Sequence, residues 1–185
     1  MRVIAGKYKG RKIETVADKS VRPATDKVKG AIFNVLQSRV DWSAATVLDL
    51  YAGSGGVGIE ALSRGAKRCL FVENSRSALA FLKKNIAGLG ADAEASVIFG
   101  DAERFVESSR TSYTVVFADP PYALEGLKEI PDRIFTQGMV APDGYLIIEH
   151  PTRYEFSNNG LWEVAVRKVY GNTSVSFFCH RTSAP

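Results

Sequence analysis

The chain is poor in the residues that build disulfide frameworks and metal centres, with two cysteines and two histidines in 185 residues. Cys69 and Cys179 lie far apart in apolar or β-rich runs, which suits a reducing compartment and leaves no cystine scaffold. His150 and His180 fall in no ligand spacing, so no metal is expected. No apolar stretch approaches the ~20 residues of a membrane span. The opening Met1-Arg2-Val3-Ile4-Ala5-Gly6-Lys7 turns polar too early for the apolar part of a signal peptide. These absences leave a cytoplasmic protein, with neither membrane nor metal, as the expectation. At 45% hydrophobic and 24% charged, the composition is that of a globular protein of one-domain size.

Charge is present but unevenly spread. Residues 1–39 carry ten Lys/Arg against three acids, and the remaining 146 carry 14 against 17, so a segment of +7 precedes a body of −3. A basic arm on a mildly acidic body is the electrostatic outline of a polyanion binder. A solvated lysine-rich terminus is the bland reading of the same pattern. Arg2, Lys7, Lys9, Arg11, Lys12, Arg22 and Lys27 are the candidate nucleic-acid contacts. The division expected is a hairpin-and-helix extension over 1–39 and a catalytic domain over 40–185.

Within the extension, Arg2–Ala5 and Lys12–Val16 read as two short strands around Gly6–Gly10. After Arg22-Pro23-Ala24, a helix capped by Thr25 or Asp26 carries Val28, Ala31, Ile32, Val35 and Leu36 on one stripe. Gly30 inside that helix costs roughly 1 kcal/mol relative to alanine, which packing or a close approach must offset.

From residue 46, short apolar runs alternate with helical stretches. The strands are Thr46–Tyr51, Cys69–Glu73, Ser96–Phe99, Thr114–Ala118 and Tyr145–Glu149. Between them lie Gly56–Arg64, Ser75–Ala87, Asp101–Ser108 and a stretch near Leu124–Gln137 that Pro131 interrupts. Such alternation predicts an α/β fold with a mostly parallel sheet and helices on both faces. Trp162–Val169 and Ser174–His180 have no helix between them, which predicts a closing antiparallel hairpin.

The first chemical site is Val47–Gly58, an apolar strand running into a glycine turn and a helix start. Gly53, Gly55 and Gly58 satisfy G-x-G-x-x-G, which admits a nicotinamide-dependent oxidoreductase. Asp49 weighs against it: a carboxylate there repels a pyrophosphate and welcomes the amino group and sulfonium of a methionine-type ligand. Glu73, 24 residues later, ends the second strand where a carboxylate accepts ribose hydroxyls. Asp101-Ala102 follows the third strand and suits an adenine amino group, a helix N-cap, or both. Tyr51, Ser54 and Asn74 complete the cofactor candidates.

Asp119-Pro120-Pro121-Tyr122, after the fourth strand, selects among these readings. An exocyclic amino nitrogen on a base is a poor nucleophile because its lone pair is delocalised into the ring. Asp119 and the Pro120 carbonyl can accept its two N–H bonds and free the lone pair for attack on a methyl sulfonium. The prolines stiffen the turn and offer no competing N–H. Tyr122 offers a ring for a base that has left its helix to stack upon. An ordinary Pro-Pro turn is the bland alternative, and it leaves the matching acids at the other strand ends unexplained. Cys69 has no neighbouring proline and is not expected to act as a nucleophile; His150 reads as structural.

Asp49–Gly58 with Glu73 and Asp119–Tyr122 resembles the class I methyltransferases of the amino-methylating group. Arg2–Lys7, Arg22–Val28 through Phe33-Asn34, and Glu60-Ala61-Leu62-Ser63-Arg64-Gly65-Ala66 are similar, more narrowly, to the RsmD family. That family methylates the N2 of a guanine in 16S ribosomal RNA. The resemblance implies a Rossmann-like seven-stranded sheet, S-adenosylmethionine as cofactor, and a substrate of ribosomal RNA or the partly assembled small subunit; a monomer is the expectation for the protein itself. It assigns Asp49, Gly53 and Gly55 to the methionine end of the cofactor, Glu73 to the ribose, Asp101 to the adenine and Asp119–Tyr122 to the base. Ala24, Gly30 and Gly56 depart from the family's usual Thr, Glu and Ala. An N6-adenine methyltransferase uses the same Asp-Pro-Pro-Tyr chemistry, and a non-catalytic nucleic-acid module would keep the basic arm above an empty crevice.

Overall fold

A computed structural model describes residues 1–16 and 26–181. Strands β1 (Thr46–Leu50), β2 (Arg68–Glu73), β3 (Ala95–Phe99), β4 (Tyr113–Ala118), β5 (Val140–Pro151), β6 (Trp162–Tyr170) and β7 (Thr173–His180) form one seven-stranded sheet in the order β3-β2-β1-β4-β5-β7-β6. The first five pair in parallel, and β7 is antiparallel to both β5 and β6. Helices α1 (Asp26–Leu36), α2 (Gly56–Ser63), α3 (Arg76–Leu89), α4 (Ala102–Ser108) and α5 (Ile130–Thr136) cover it. The predicted fold class and terminal hairpin are observed.

Period-two alternation divides the core between the two faces. Val47, Phe71, Val115, Phe117, Ile147 and Phe177 pack with α1, α2, α3 and the arm residues Val3 and Ile13. Leu48, Leu50, Val72, Val116, Ala118, Ile148 and Phe178 pack with α4 and α5. The basic arm is therefore anchored in the same hydrophobic cluster as the sheet.

Two elements differ from expectation. The arm makes a single antiparallel bridge, Arg2 with Lys12, in place of two strands. The amides that would extend the ladder are taken: Ile4 and Ala5 N–H donate to Glu60 at 2.7 and 3.1 Å. β5 starts at Val140, five residues early, because Val140 pairs with Tyr113 across an irregularity in the ladder. There Gly144 is required, since a Cβ would lie 2.7 Å from the Thr114 carbonyl. The stretch near Leu124–Gln137 divides as anticipated around Pro131, into a 3-10 turn (Leu127–Glu129) and α5, with Pro131 in the first turn where its missing N–H costs nothing.

Candidate active site

The carboxyl ends of β2, β1, β4 and β5 set Glu73, Tyr51, Asp119 and Glu149 side by side. The register places Leu50 against Val72 and Ala118, and Ala118 against Ile148, so the next residues are level. Asp49 lies two residues below Tyr51, on the face that holds Val47 and α2. Tyr51 itself turns the chain off the strand with φ 59°, the one positive value for a non-glycine among the described residues. A left-handed aromatic residue is strained, and this one sits at the sheet's mouth.

The glycine turn works through three different positions. Gly53 has φ +57° and a Cβ there would meet nothing within 4 Å, so this side of the turn is open. Gly55 has φ +85°, and a Cβ would lie 2.5 Å from Leu82 Cδ1. At Gly58 a Cβ would strike Phe71 and Cys69 at 2.3 and 2.7 Å, so α2 rests directly on β2. Asn85 on α3 holds the turn from behind: its Nδ2 donates to the Ser54 carbonyl (3.0 Å) and the Glu14 carbonyl (2.8 Å), and its Oδ1 accepts from Glu14 N–H.

Asp49 is 4% exposed and accepts the Gly58 N–H at 2.9 Å. Burial, partly opposed by that bond, pushes its carboxyl up to about 7, and the charge of Glu73 adds to the rise. Glu73, also buried, accepts the N–H groups of Gly53 and Ser75, both at 2.6 Å. It thereby ties the β1 turn to the end of β2, and each oxygen retains a lone pair. Asp101 caps α4 by accepting the Arg104 N–H at 3.0 Å, with Ala102 buried behind it; Asn74, directly after β2, is exposed. Burial, then the charges of Glu149 and Asp49, hold Asp119 well above the usual carboxylate range.

Beyond Asp119, Pro120 is buried and Pro121 exposed. Tyr122 is half-exposed, with its hydroxyl 2.6 Å from Thr173 Oγ1 and 3.5 Å from Glu149 Oε1. A cleft of about 370 Å³ opens beside it, lined by residues 122–129 with Arg153 and Tyr154. His150 is fully buried between the Pro151 carbonyl (3.0 Å) and Ser176 Oγ (2.8 Å), a structural place. Cys69 is buried under α2 with its thiol raised by burial, which leaves it inert. The described residues hold no group of His, Cys, Asp and Glu suited to a metal, and no helix long and apolar enough to cross a membrane.

The basic residues divide. Lys7 pairs with Glu94 at 2.8 Å, Arg11 donates to the Gly88 carbonyl at 2.7 Å, and Arg2 donates to the Gly10 carbonyl at 3.2 Å. Lys9, Lys12 and Lys27 are exposed and unpaired among the described residues. Arg22, with Ala24 and Thr25, lies outside the described residues.

The donor set admits a cationic nucleoside and disfavours a pyrophosphate. Among the described residues no salt bridge reaches Asp49, Glu73 or Asp119, so no described Lys or Arg pairs with their charge. The family described as conserved hypothetical protein 95 matches residues 1–179. The Escherichia coli (strain K12) protein named Ribosomal RNA small subunit methyltransferase D is 32% identical over 184 residues, covering 96% of this chain and 89% of its own. The chain belongs to the RsmD family. A second relative, YlbH of Bacillus subtilis (strain 168), carries a provisional name as an rRNA methyltransferase. It is 40% identical over 185 residues, covering 98% of this chain and all of its own. The solved structure of yhhF from Escherichia coli, titled provisionally as a methyltransferase, superposes with a TM-score of 0.85 at 31% identity, covering 99% of each chain.

Residues that pattern reading missed are those joined only by the fold. Asn85 reads as one more polar residue of α3, and Glu149 as the end of an apolar strand. Phe99, level with Glu73 and 52% exposed, carries one available signal: a large aromatic ending a strand at the crevice.

Proposed function

We propose that this RsmD-family member transfers a methyl group from S-adenosylmethionine to the exocyclic N2 of a guanine in small-subunit ribosomal RNA. The observation that carries the reading is the row of carboxylates at adjacent strand ends, with no salt bridge to Asp49, Glu73 or Asp119 among the described residues, edged by a rigid Asp-Pro-Pro-Tyr turn. Bound there, S-adenosylmethionine supplies an electrophilic methyl on a sulfonium. Asp49 and the open side of Gly53 would hold its methionine end, Glu73 its ribose, and Asp101 its adenine. The relatives' names support ribosomal RNA as the substrate.

Asp119 and the Pro120 carbonyl accept the two N–H bonds of the guanine amino group, so its lone pair leaves conjugation and points toward the methyl carbon. As that bond forms, the methyl's bond to sulfur breaks with its electron pair left on sulfur; the nitrogen becomes positive, Asp119 offers negative charge already in place for it, and the surplus N–H proton then leaves by way of Asp119 to solvent. Only ionised Asp119 does this. Its raised pKa therefore places activity on the rising side of a pH profile, and a cation beside it draws the pKa down.

The division into an RNA-docking arm (1–39) and a methyltransferase domain (40–185) is part of the proposal. Lys9, Lys12 and Lys27 are the free contacts for RNA, and Arg22 belongs with them. The protein works as a cytoplasmic monomer on a partly assembled subunit, whose shape substitutes for a separate recognition domain. Asp119→Ala tests the reading: methyl transfer falls at least about a hundredfold while binding of labelled cofactor stays within a few-fold. Parallel loss of both would refute Asp119's role.

A further inference from the structure

The Asp119–Pro120 pair can serve any aromatic amino group, so it does not by itself distinguish guanine from adenine. The bases differ at the adjoining ring nitrogen. Guanine carries N1–H beside its N2 amino group, whereas adenine carries a bare N1 lone pair beside N6. A carboxylate at that position accepts from the first and repels the second.

Such a carboxylate stands next to Asp119. β4 and β5 pair Val116 with Leu146 and Ala118 with Ile148, so Asp119 and Glu149 are level on neighbouring strands. Tyr122, on the same turn as Asp119, brings its hydroxyl to 3.5 Å from Glu149 Oε1 while held by Thr173 Oγ1 at 2.6 Å. The stacking ring, Asp119 and Glu149 thus share one corner of the crevice. Consistently, Asp119 and Tyr122 are both raised, by burial first and then by the charge of Glu149. A carboxylate has about four lone-pair sites on its two oxygens, so it can accept from more than one donor at once.

We infer that Glu149 is the specificity-determining residue, accepting guanine N1–H while Asp119 and Pro120 hold the N2 amino group. This rests on the guanine reading above and adds to it the group that rejects adenine. It acts on base choice, where Asp119 acts on rate.

The test uses small ribosomal particles carrying either guanine or 2-aminopurine at the methylated position. 2-Aminopurine keeps the amino group and presents a bare N1. The wild-type protein prefers guanine by about a hundredfold in kcat/KM, because a site built to accept a hydrogen rejects the analogue lacking it. Glu149→Gln, nearly isosteric and able to donate from its amide to a bare N1, lowers that ratio at least about tenfold without changing cofactor binding. Equal use of both bases by the wild type would overturn the proposal, and this arm needs no variant to fold. So would an equal loss on both bases in Glu149→Gln with the ratio preserved. Transfer to an adenine amino group by the wild type would instead overturn the guanine reading itself, together with this inference.

Discussion

Asp49→Asn removes a charge that the folded, ligand-free chain holds at a cost. Raising the carboxyl from 3.8 to about 7 means that ionised Asp49 costs on the order of 4 kcal/mol at alkaline pH. Relaxation and water entry in an open crevice reduce this to about 2 kcal/mol. A raised folded-state pKa gives a contribution that is complete below the ordinary carboxylate range and is lost as pH rises through about 7. Asparagine keeps an oxygen for the Gly58 N–H and carries no charge. Thermal melts of the ligand-free protein should therefore show the variant equal to wild type near pH 4 and roughly 4–8 °C more stable above pH 8. Binding of labelled S-adenosylmethionine should weaken by at least about tenfold in the same variant, since stability gained at a binding site is commonly function lost. A variant less stable than wild type at pH 8, or a gap that does not grow with pH, would refute this account of Asp49.

Further predictions concern the arm and its docking. Glu60 accepts Ile4 and Ala5 N–H, bonds Arg64 at 2.8 Å and lies 3.7 Å from fully buried Lys29, whose ammonium also donates to the Arg2 carbonyl at 2.6 Å. Glu60→Gln leaves Lys29 buried without its main counter-charge, at about 3–5 kcal/mol. Melting and limited proteolysis of residues 1–16 would show the loss, and an unchanged melt would contradict the network's role. Gly30 has no steric need to be glycine, since a Cβ would meet Ile4 Cδ1 at an ordinary 3.6 Å. Gly30→Ala should stabilise by about 1 kcal/mol, or roughly 2–4 °C, whereas a lower melting point would expose a contact not accounted for. Replacing Lys9, Lys12 and Lys27 by alanine should weaken particle binding and flatten its log–log salt dependence by roughly two to three, with cofactor binding intact. An unchanged slope would remove these residues from the RNA contact.

The sheet was legible because its strands are apolar runs of the right length, separated by helical periods and turn residues. Asp49, Glu73 and Asp119 were legible for a related reason: each ends, or nearly ends, such a run, and a carboxylate there has few structural uses. The arm was not. Its strand-like residues pair with the Glu60 carboxylate, 55 and 56 positions away, and no local periodicity announces an acceptor at that distance. Lys29 shows the same limit, a cation counted with the basic surface that is in fact 0% exposed. Asn85 joins Glu14 to Ser54 across separations of 71 and 31 residues, a link that exists only once α3 has packed. Glu149 was passed over because only the β4–β5 register sets it beside Asp119.

Methyl transfer from labelled S-adenosylmethionine to small ribosomal particles lacking the modification, followed by identification of the product nucleoside, decides whether the protein methylates guanine N2. The expected product is N2-methylguanosine, formed by the wild type and lost with Asp119→Ala. N6-methyladenosine, or no transfer to RNA at all, would contradict the guanine reading.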